Sequence, residues 1–335
     1  MTALPAAPAM THSLFLPRTV LFGLAFCCAL LGRAADAPAP ALPPEPAFHF
    51  TVTSDLHNGT ATYGGVLDAI QAHSGGPGAF HVSIGDLADK AGQDPQCLRE
   101  VIDRHCGATA IWWPLIGNHD KRAPSSMAWI RAEHATGNGV RHPLKNLVKR
   151  SGPPGCAETT YSWDSSNVHC VALNEYWSGE AAPGSDVATD GRIVPALLQW
   201  LDEDLAANRK PFVFVFGHEP AFALFRHVGD SLDKYAAERD AFWEVLKRHH
   251  VQAFISGHVH FYYKQAKDGV WQIVDGCAGR TLEHRTYLDI IVGADRAQVN
   301  VWQKESLLSK GWKLIDTITL DAAPRQAPAV SASAD

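Results

Sequence analysis

After Leu31 no stretch of this chain is long and apolar enough to cross a bilayer, which takes about 20 apolar residues in a row. A later membrane anchor is therefore not expected. Clusters of Lys and Arg are also missing, and the 335-residue chain carries a formal net charge of −6. Neutralising a nucleic-acid backbone needs grouped cations, so the charge pattern argues against nucleic acid as a partner. Charged residues make up only 19% of the chain against 46% hydrophobic ones, a balance that favours a packed core over disorder. No internal repeat is apparent, and no cysteines stand in a zinc-finger spacing.

What the chain does have near its start reads as an export signal. Arg18 flanks the apolar segment Val20 to Leu31, and Ala34 and Ala37 offer small-residue cleavage positions. That segment is too short to span comfortably, and bulky Phe26 before Cys27 argues against a lipoprotein site. The expected organisation is a signal peptide and cleavage region over 1–37 and a Pro/Ala linker over 38–46. One domain over 47–321 and a mobile tail over 322–335 follow. The mature protein is expected in the periplasm or outside the cell, without a stable membrane anchor. Losing Cys27 and Cys28 with the signal leaves Cys97, Cys106, Cys156, Cys170 and Cys277. An oxidising compartment makes Cys97–Cys106 and Cys156–Cys170 candidate local disulfides.

The domain is organised around Phe254-Ile255-Ser256-Gly257-His258-Val259-His260, an apolar run that breaks into Gly-His-x-His. Four earlier apolar runs end alike: at Ser54-Asp55-Leu56-His57, Gly85-Asp86, Gly117-Asn118-His119-Asp120 and Gly217-His218. Short runs of β-branched and aromatic residues predict buried strands, and α/β proteins deliver functional groups from the carboxyl ends of their strands. Asp55, His57, Asp86, Asn118, His119, His218, His258 and His260 are therefore aimed at one place. Imidazole mixed with carboxylate suits Zn, Fe, Ni or Mn, whereas an oxygen cage for Ca or Mg would not need so many histidines. Seven such ligands suffice for two metals if one carboxylate bridges.

Strands and helices alternate in the first half. Phe48–Thr53, Phe80–Ile84 and Ala110–Ile116 predict strands, with helices at Gly65–Ala72 and at Asp94–His105, the latter capped by Asp94. Strands Thr159–Trp163 and Val168–Leu173 follow as a hairpin. Helices Pro195–Ala207 and Glu238–His249 then precede strands Phe212–Phe216 and Ala253–Ser256. Beyond Gly257, Phe261–Ala266, Val270–Val274, Tyr287–Val292, Gln298–Gln303 and Thr317–Leu320 predict antiparallel strands. The pattern alone means α/β with a mixed sheet.

The ordered motifs Asp-x-His, Gly-Asp, Gly-Asn-His-Asp, Gly-His and Gly-His-x-His resemble the calcineurin-like metallophosphoesterases, over roughly Phe48 to Leu320. Tyr161-Ser162-Trp163, Val168 to Asn174 and Gly217-His218-Glu219-Pro220 also resemble secreted bacterial members. The resemblance implies two mixed β-sheets packed face to face and flanked by helices. It further implies an exported hydrolase of phosphate mono- or diesters. Asp55, His57, Asp86 and His260 would hold one metal, and Asp86, Asn118, His218 and His258 the other. The two ions would be divalent or trivalent transition metals (Mn, Fe or Zn), with a hydroxide between them as nucleophile. His119 would serve the leaving oxygen without ligating, and Asp120 would orient it. One departure is Asp89, where relatives among the purple acid phosphatases carry Tyr, so a tyrosinate–Fe(III) chromophore is not expected.

A small phosphoester suits the charge better than long nucleic acid. Asn58, Arg226 and His227 are candidate substrate contacts, and Tyr176 and Trp177 candidate pocket residues. A pyrophosphatase or cyclic-nucleotide phosphodiesterase would use the same ligands. A metal-braced binding scaffold without catalysis is the non-enzymatic alternative, with Asn174–Ile193 as a possible lid.

Overall fold

Phe212-Val213-Phe214-Val215-Phe216 shows why this chain stacks into layers. Side chains alternate across a pleated strand, so a run apolar at every position presents two greasy faces and must be covered on both. The computed structural model describes residues 48–90, 92–137, 141–182, 190–306 and 308–324. In it Phe212, Phe214 and Phe216 face an opposing sheet, while Val213 and Val215 face helices. The expected signal peptide and linker lie outside the described residues, as does the tail beyond Pro324.

The first half comprises β1 (Phe48–Ser54), α1 (Thr60–Ser74), β2 (His81–Ile84), α2 (Gln96–Cys106), β3 (Trp112–Pro114) and α3 (Pro124–Thr136). The short β4 (Arg150–Ser151) and the hairpin β5 (Tyr161–Ser165) and β6 (Val168–Ala172) follow. Then come α4 (Pro195–Ala207), β7 (Phe212–Phe216), α5 (Ala236–Arg248) and β8 (Ala253–Ser256). The last strands are β9 (Tyr263–Lys267), β10 (Val270–Val274), β11 (Thr286–Val292), β12 (Arg296–Lys304) and β13 (Trp312–Asp321).

Among the described residues they form two mixed sheets, ordered β13-β12-β11-β1-β2-β3 and β4-β5-β6-β7-β8-β10-β9. The layer between them is apolar: Phe50, Val52, Val82, Ile84 and Leu288 from one sheet meet Trp163, Phe214, Phe216 and Ile255 from the other. Trp113 and Trp163 stack at 4.3 Å across it. Helices α1 and α2 cover the outer face of the first sheet through Leu67, Ile70, Leu98 and Ile102. Leu197, Leu201, Phe242 and Leu246 of α4 and α5 cover the second.

Three expectations change. Strand β10 is not part of a purely antiparallel series: it pairs in parallel with β8 and antiparallel only with β9. Cys97, Cys106, Cys170 and Cys277 are free, so neither expected disulfide is formed. Cys97 and Cys106 sit on one helix nine residues apart, about 13 Å at 1.5 Å per residue, beyond the reach of a disulfide. Cys156 and Cys170 are buried thiols. Helix α3 escaped the sequence pattern because its buried stripe, Ser126, Met127, Ile130 and His134, is half polar.

A polar cluster lies under α1. His81 is buried on β2 between Thr51 and Thr53 of β1, at 2.7 and 3.0 Å, with the Tyr63 hydroxyl at 2.9 Å. Burial, reinforced by Arg99, pushes His81 down to about 3. The folded protein thus keeps this ring neutral where the unfolded chain, titrating near 6.5, binds a proton. Its contribution is present above pH 6.5 and is lost as pH falls towards 3. In His81→Gln that dependence should disappear. Denaturant unfolding at pH 7 and pH 5 should show a shallower loss in the variant, by up to about 1.4 kcal/mol per pH unit. Equal slopes would refute the assignment.

Candidate metal centre

Strands β1, β2 and β3 run parallel, as do β6, β7, β8 and β10. At their carboxyl ends the backbone turns hard. Asp55, His57, Asp86, His258 and His260 all have positive φ, between 45° and 72°. Non-glycine residues seldom adopt this conformation, and its cost persists only where the surroundings enforce it. Here hydrogen bonds enforce it: the His57 N–H donates to the Asp86 carbonyl at 2.7 Å, and the His258 N–H to the Asp55 carboxylate at Oδ2, 3.0 Å away. His218 Nδ1 reaches across from the second sheet to the Ile84 carbonyl at 2.8 Å. Gly117 is needed for space, because a Cβ there would stand 2.2 Å from Asp86 Oδ1.

The resulting cluster divides in two around Asp86. On one side, ligand atoms of Asp55, His57, Asp86 and His260 all lie within 4.8 Å of one another. His260 Nε2 is 3.2 Å from both Asp55 Oδ1 and His57 Nε2, and Asp86 Oδ2 is 3.9 Å from His57 Nε2. On the other side, Asn118 Oδ1 is 3.2 Å from His218 Nε2 and 3.1 Å from His258 Nδ1. The second oxygen of Asp86 is 3.4 Å from His218 Nε2. Atoms about 3 Å apart are what ligands with bonds of about 2.1 Å to a shared ion require.

Electrostatics asks for cations here. Burial would raise Asp86, but His218 beside it brings it down to about 2. Asp55 is likewise held well below the carboxylate range, with His260 overcoming the effect of burial. Burial pushes His57 down to about 4 and, with His218 and His227, His258 to about 3. His260 goes the other way: burial is outweighed by Asp55 and Glu283, which hold it up at about 9. His218 is also raised, by Asp86 against its own burial. Two buried carboxylates therefore need positive charge beside them. Protons on His218 and His260 are one source and metal cations another. A cation, unlike a proton, would accept lone pairs from several of these buried imidazoles and carboxylates at once. The donor set fits two transition-metal ions.

His119 stands at the mouth of the cluster. Its side chain is 29% exposed, whereas that of His57 beside it is 3% exposed. Nε2 lies 3.8 Å from Asp86 Oδ2, and Nδ1–H donates to the Asp89 carbonyl at 3.1 Å. Asp120 does not orient it. The Asp120 carboxylate is fully buried and accepts the backbone N–H groups of Leu87, Ala88 and Gly117 and the Ser126 hydroxyl. Burial, and then Asp86, pushes Asp120 up to about 6. Its work is to tie the β2 loop to the β3 loop.

Several neighbours take roles that no sequence motif assigned. Asp89 Oδ1 lies 3.3 Å from His57 Nδ1 and 3.7 Å from His119 Nδ1, and accepts from Arg280 at 2.9 Å. Glu283 Oε2 is 2.6 Å from His260 Nδ1. Carboxylates behind metal-ligating imidazoles fix the ring and its tautomer. Arg280 and Glu283 come from the loop after β10. Had β10 been read as parallel to β8, the strand-end rule would have pointed to that loop too. Ala278 N–H donates to the Ser54 carbonyl, and a Cβ on Gly279 would stand 1.6 Å from the Leu56 oxygen, so this loop lies hard against β1's end. Glu219, directly after His218, is buried and accepts from the Tyr176 hydroxyl at 2.9 Å.

Of the substrate candidates, His227 packs on His258 with ring centroids 4.1 Å apart, and Arg226 is exposed beside it. The Asn58 amide donates to the Asp94 carbonyl instead. Tyr176 and Trp177 are fully buried. The expected lid falls partly outside the described residues.

Known proteins resemble this chain in sequence and in fold. The sequence profile described as calcineurin-like phosphoesterase matches residues 48–262. Human tartrate-resistant acid phosphatase type 5 is 23% identical over 202 residues, 60% of this chain and 58% of that protein, so the match spans under two thirds of that relative's length. Among solved structures, GAP50, the anchor in the inner membrane complex of Plasmodium, superposes with a TM-score of 0.56 at 10% identity, covering 84% of this chain and 91% of its own. PhoD does so at 0.52 and 12% identity, covering 86% and 74%.

Proposed function

The chain belongs to the calcineurin-like phosphoesterase family, and from that premise we propose that it is an exported dinuclear-metal hydrolase of small phosphate mono- or diesters. One observation carries the reading: Asp86 turns one carboxylate oxygen to His57 and the other to His218, so a single side chain serves both ligand sets. Asp55, His57, Asp86 and His260 would hold one cation, and Asp86, Asn118, His218 and His258 the other. When bound, such ions supply Lewis-acid charge to a phosphoester and lower the pKa of water.

The chain's own residues supply the rest. His119, more exposed than His57 and pinned through Nδ1 on Asp89, moves a proton at Nε2 to the leaving oxygen. Asp89 and Glu283 hold the His57 and His260 rings from behind. His227 and Arg226 border the second ligand set and offer donors to a phosphate oxygen. Among the described residues no helix is long and apolar enough to cross a membrane. Export rests on the segment Val20 to Leu31 and would show as a mature amino terminus near Ala37 in the exported fraction.

The test is metal content by mass spectrometry together with hydrolysis of 4-nitrophenyl phosphate and its bis-aryl diester. About two transition-metal ions per chain are expected, with activity lost on chelation and regained with Mn, Zn or Fe. The fold alone does not decide for catalysis, since one structural neighbour is described as an anchor. Protein carrying both ions without turnover would establish the scaffold reading instead.

A further inference from the structure

Phe225 is 85% exposed beside a site otherwise built from buried groups. Its φ of 66° is a genuine outlier for a bulky aromatic residue, and His227 two positions on has φ 60°. Strain of this kind persists only where the surroundings hold it, and it clusters at ligand clamps. The loop is held at both ends. Before Phe225, the Phe222 carbonyl accepts from Tyr263, Gln265 and Gln272, and the Phe222 N–H donates back to Gln272. After it, the His227 carbonyl accepts from the Asp230 N–H and the Ser231 hydroxyl. Phe225 is therefore displayed by a braced loop.

The ring is also placed. It packs against Phe261 with centroids 5.7 Å apart, and Phe261 directly follows His260. Two positions on, His227 packs against His258. Leu224 and Val228, 37% and 64% exposed, widen the apolar rim. This patch is thus bounded by one candidate ligand from each metal set. We propose that Phe225, with Phe261 as its backing, is a stacking platform for an aromatic ring on the substrate's leaving group, making aryl- or nucleobase-bearing phosphoesters the preferred substrate class. The inference rests on the phosphoesterase reading above and adds specificity to it.

The test compares adenosine 5′-monophosphate with ribose 5-phosphate on the full, metal-loaded protein. Both expel the same primary alkoxide and differ only in the base. The wild-type protein should favour the nucleotide in kcat/KM by about tenfold, the scale of one base–aromatic stack. Phe225→Ala should bring the ratio to about one while leaving metal content and ribose 5-phosphate turnover unchanged, and Phe225→Tyr should restore it. A wild-type ratio near one, or a ratio that survives Phe225→Ala, would overturn the platform alone. Turnover of neither compound, nor of 4-nitrophenyl phosphate or its bis-aryl diester, by protein carrying both metals would overturn the phosphoesterase reading and the platform with it.

Discussion

Asp86→Ala should empty both cation positions and abolish turnover. Metal content is expected to fall from about two ions per chain to well below one. Asp86 is the side chain that faces both ligand sets, with Oδ2 towards His57 and Oδ1 towards His218. Without it each set loses a charged donor at once. Metal catalysis is worth several kcal/mol, and at 1.36 kcal/mol per factor of ten the loss in kcat/KM should be roughly 10³-fold or more. Asp86 Oδ1 also accepts the His119 N–H at 2.8 Å, so Asp86→Asn, which keeps an acceptor there, separates charge from shape. The asparagine variant should lose most of the metal as well. Full occupancy in either variant would remove Asp86 from its bridging place.

His119→Asn should give the opposite pattern. Metal content stays near wild type, because His119 stands outside both ligand sets and its ring is partly exposed. Turnover falls by about 10²–10⁴, the usual worth of a positioned proton donor. The loss should depend on the leaving group. A nitrophenolate departs without a proton, whereas an alkoxide needs one, so the variant should be hurt more on an alkyl phosphate than on 4-nitrophenyl phosphate. Equal losses on the two substrates would deny His119 its proton-transfer role. Loss of metal from the variant would make it a ligand.

The behaviour of Asp120 shows where adjacency in the chain misleads. It follows His119 directly and looks placed to orient the ring. Yet Asp120 opens a single 3₁₀ turn over Asp120–Arg122, and consecutive residues on a helical turn do not face each other. One side chain points to the cluster and the next into the core. The orienting group is Asp89, thirty positions earlier, through its own carbonyl. Asp89 also holds Arg280, and no local pattern announces that pairing.

The α/β class and the gathering of Asp55, His57, Asp86, Asn118, His218, His258 and His260 were legible because both depend on short-range rules, whereas the face-to-face stacking of two sheets came only from the family resemblance. Apolar runs make buried strands, and the turn at a strand's carboxyl end presents the next polar residue. The choice of donor types, and hence of transition metals over Ca or Mg, is a property of composition at those turns. Strand direction, by contrast, is a long-range matter. Whether β10 lies parallel to β8 depends on which neighbour it pairs with, and its own five residues read the same either way. From that pairing follow the place of Arg280 and Glu283 and the hydrogen bond from Cys277 to the Asp55 carbonyl. The chain by itself determined which chemistry gathers at the strand ends. Tertiary pairing alone decided what stands behind each imidazole and which side chains rim the mouth, because those contacts join residues up to about two hundred positions apart.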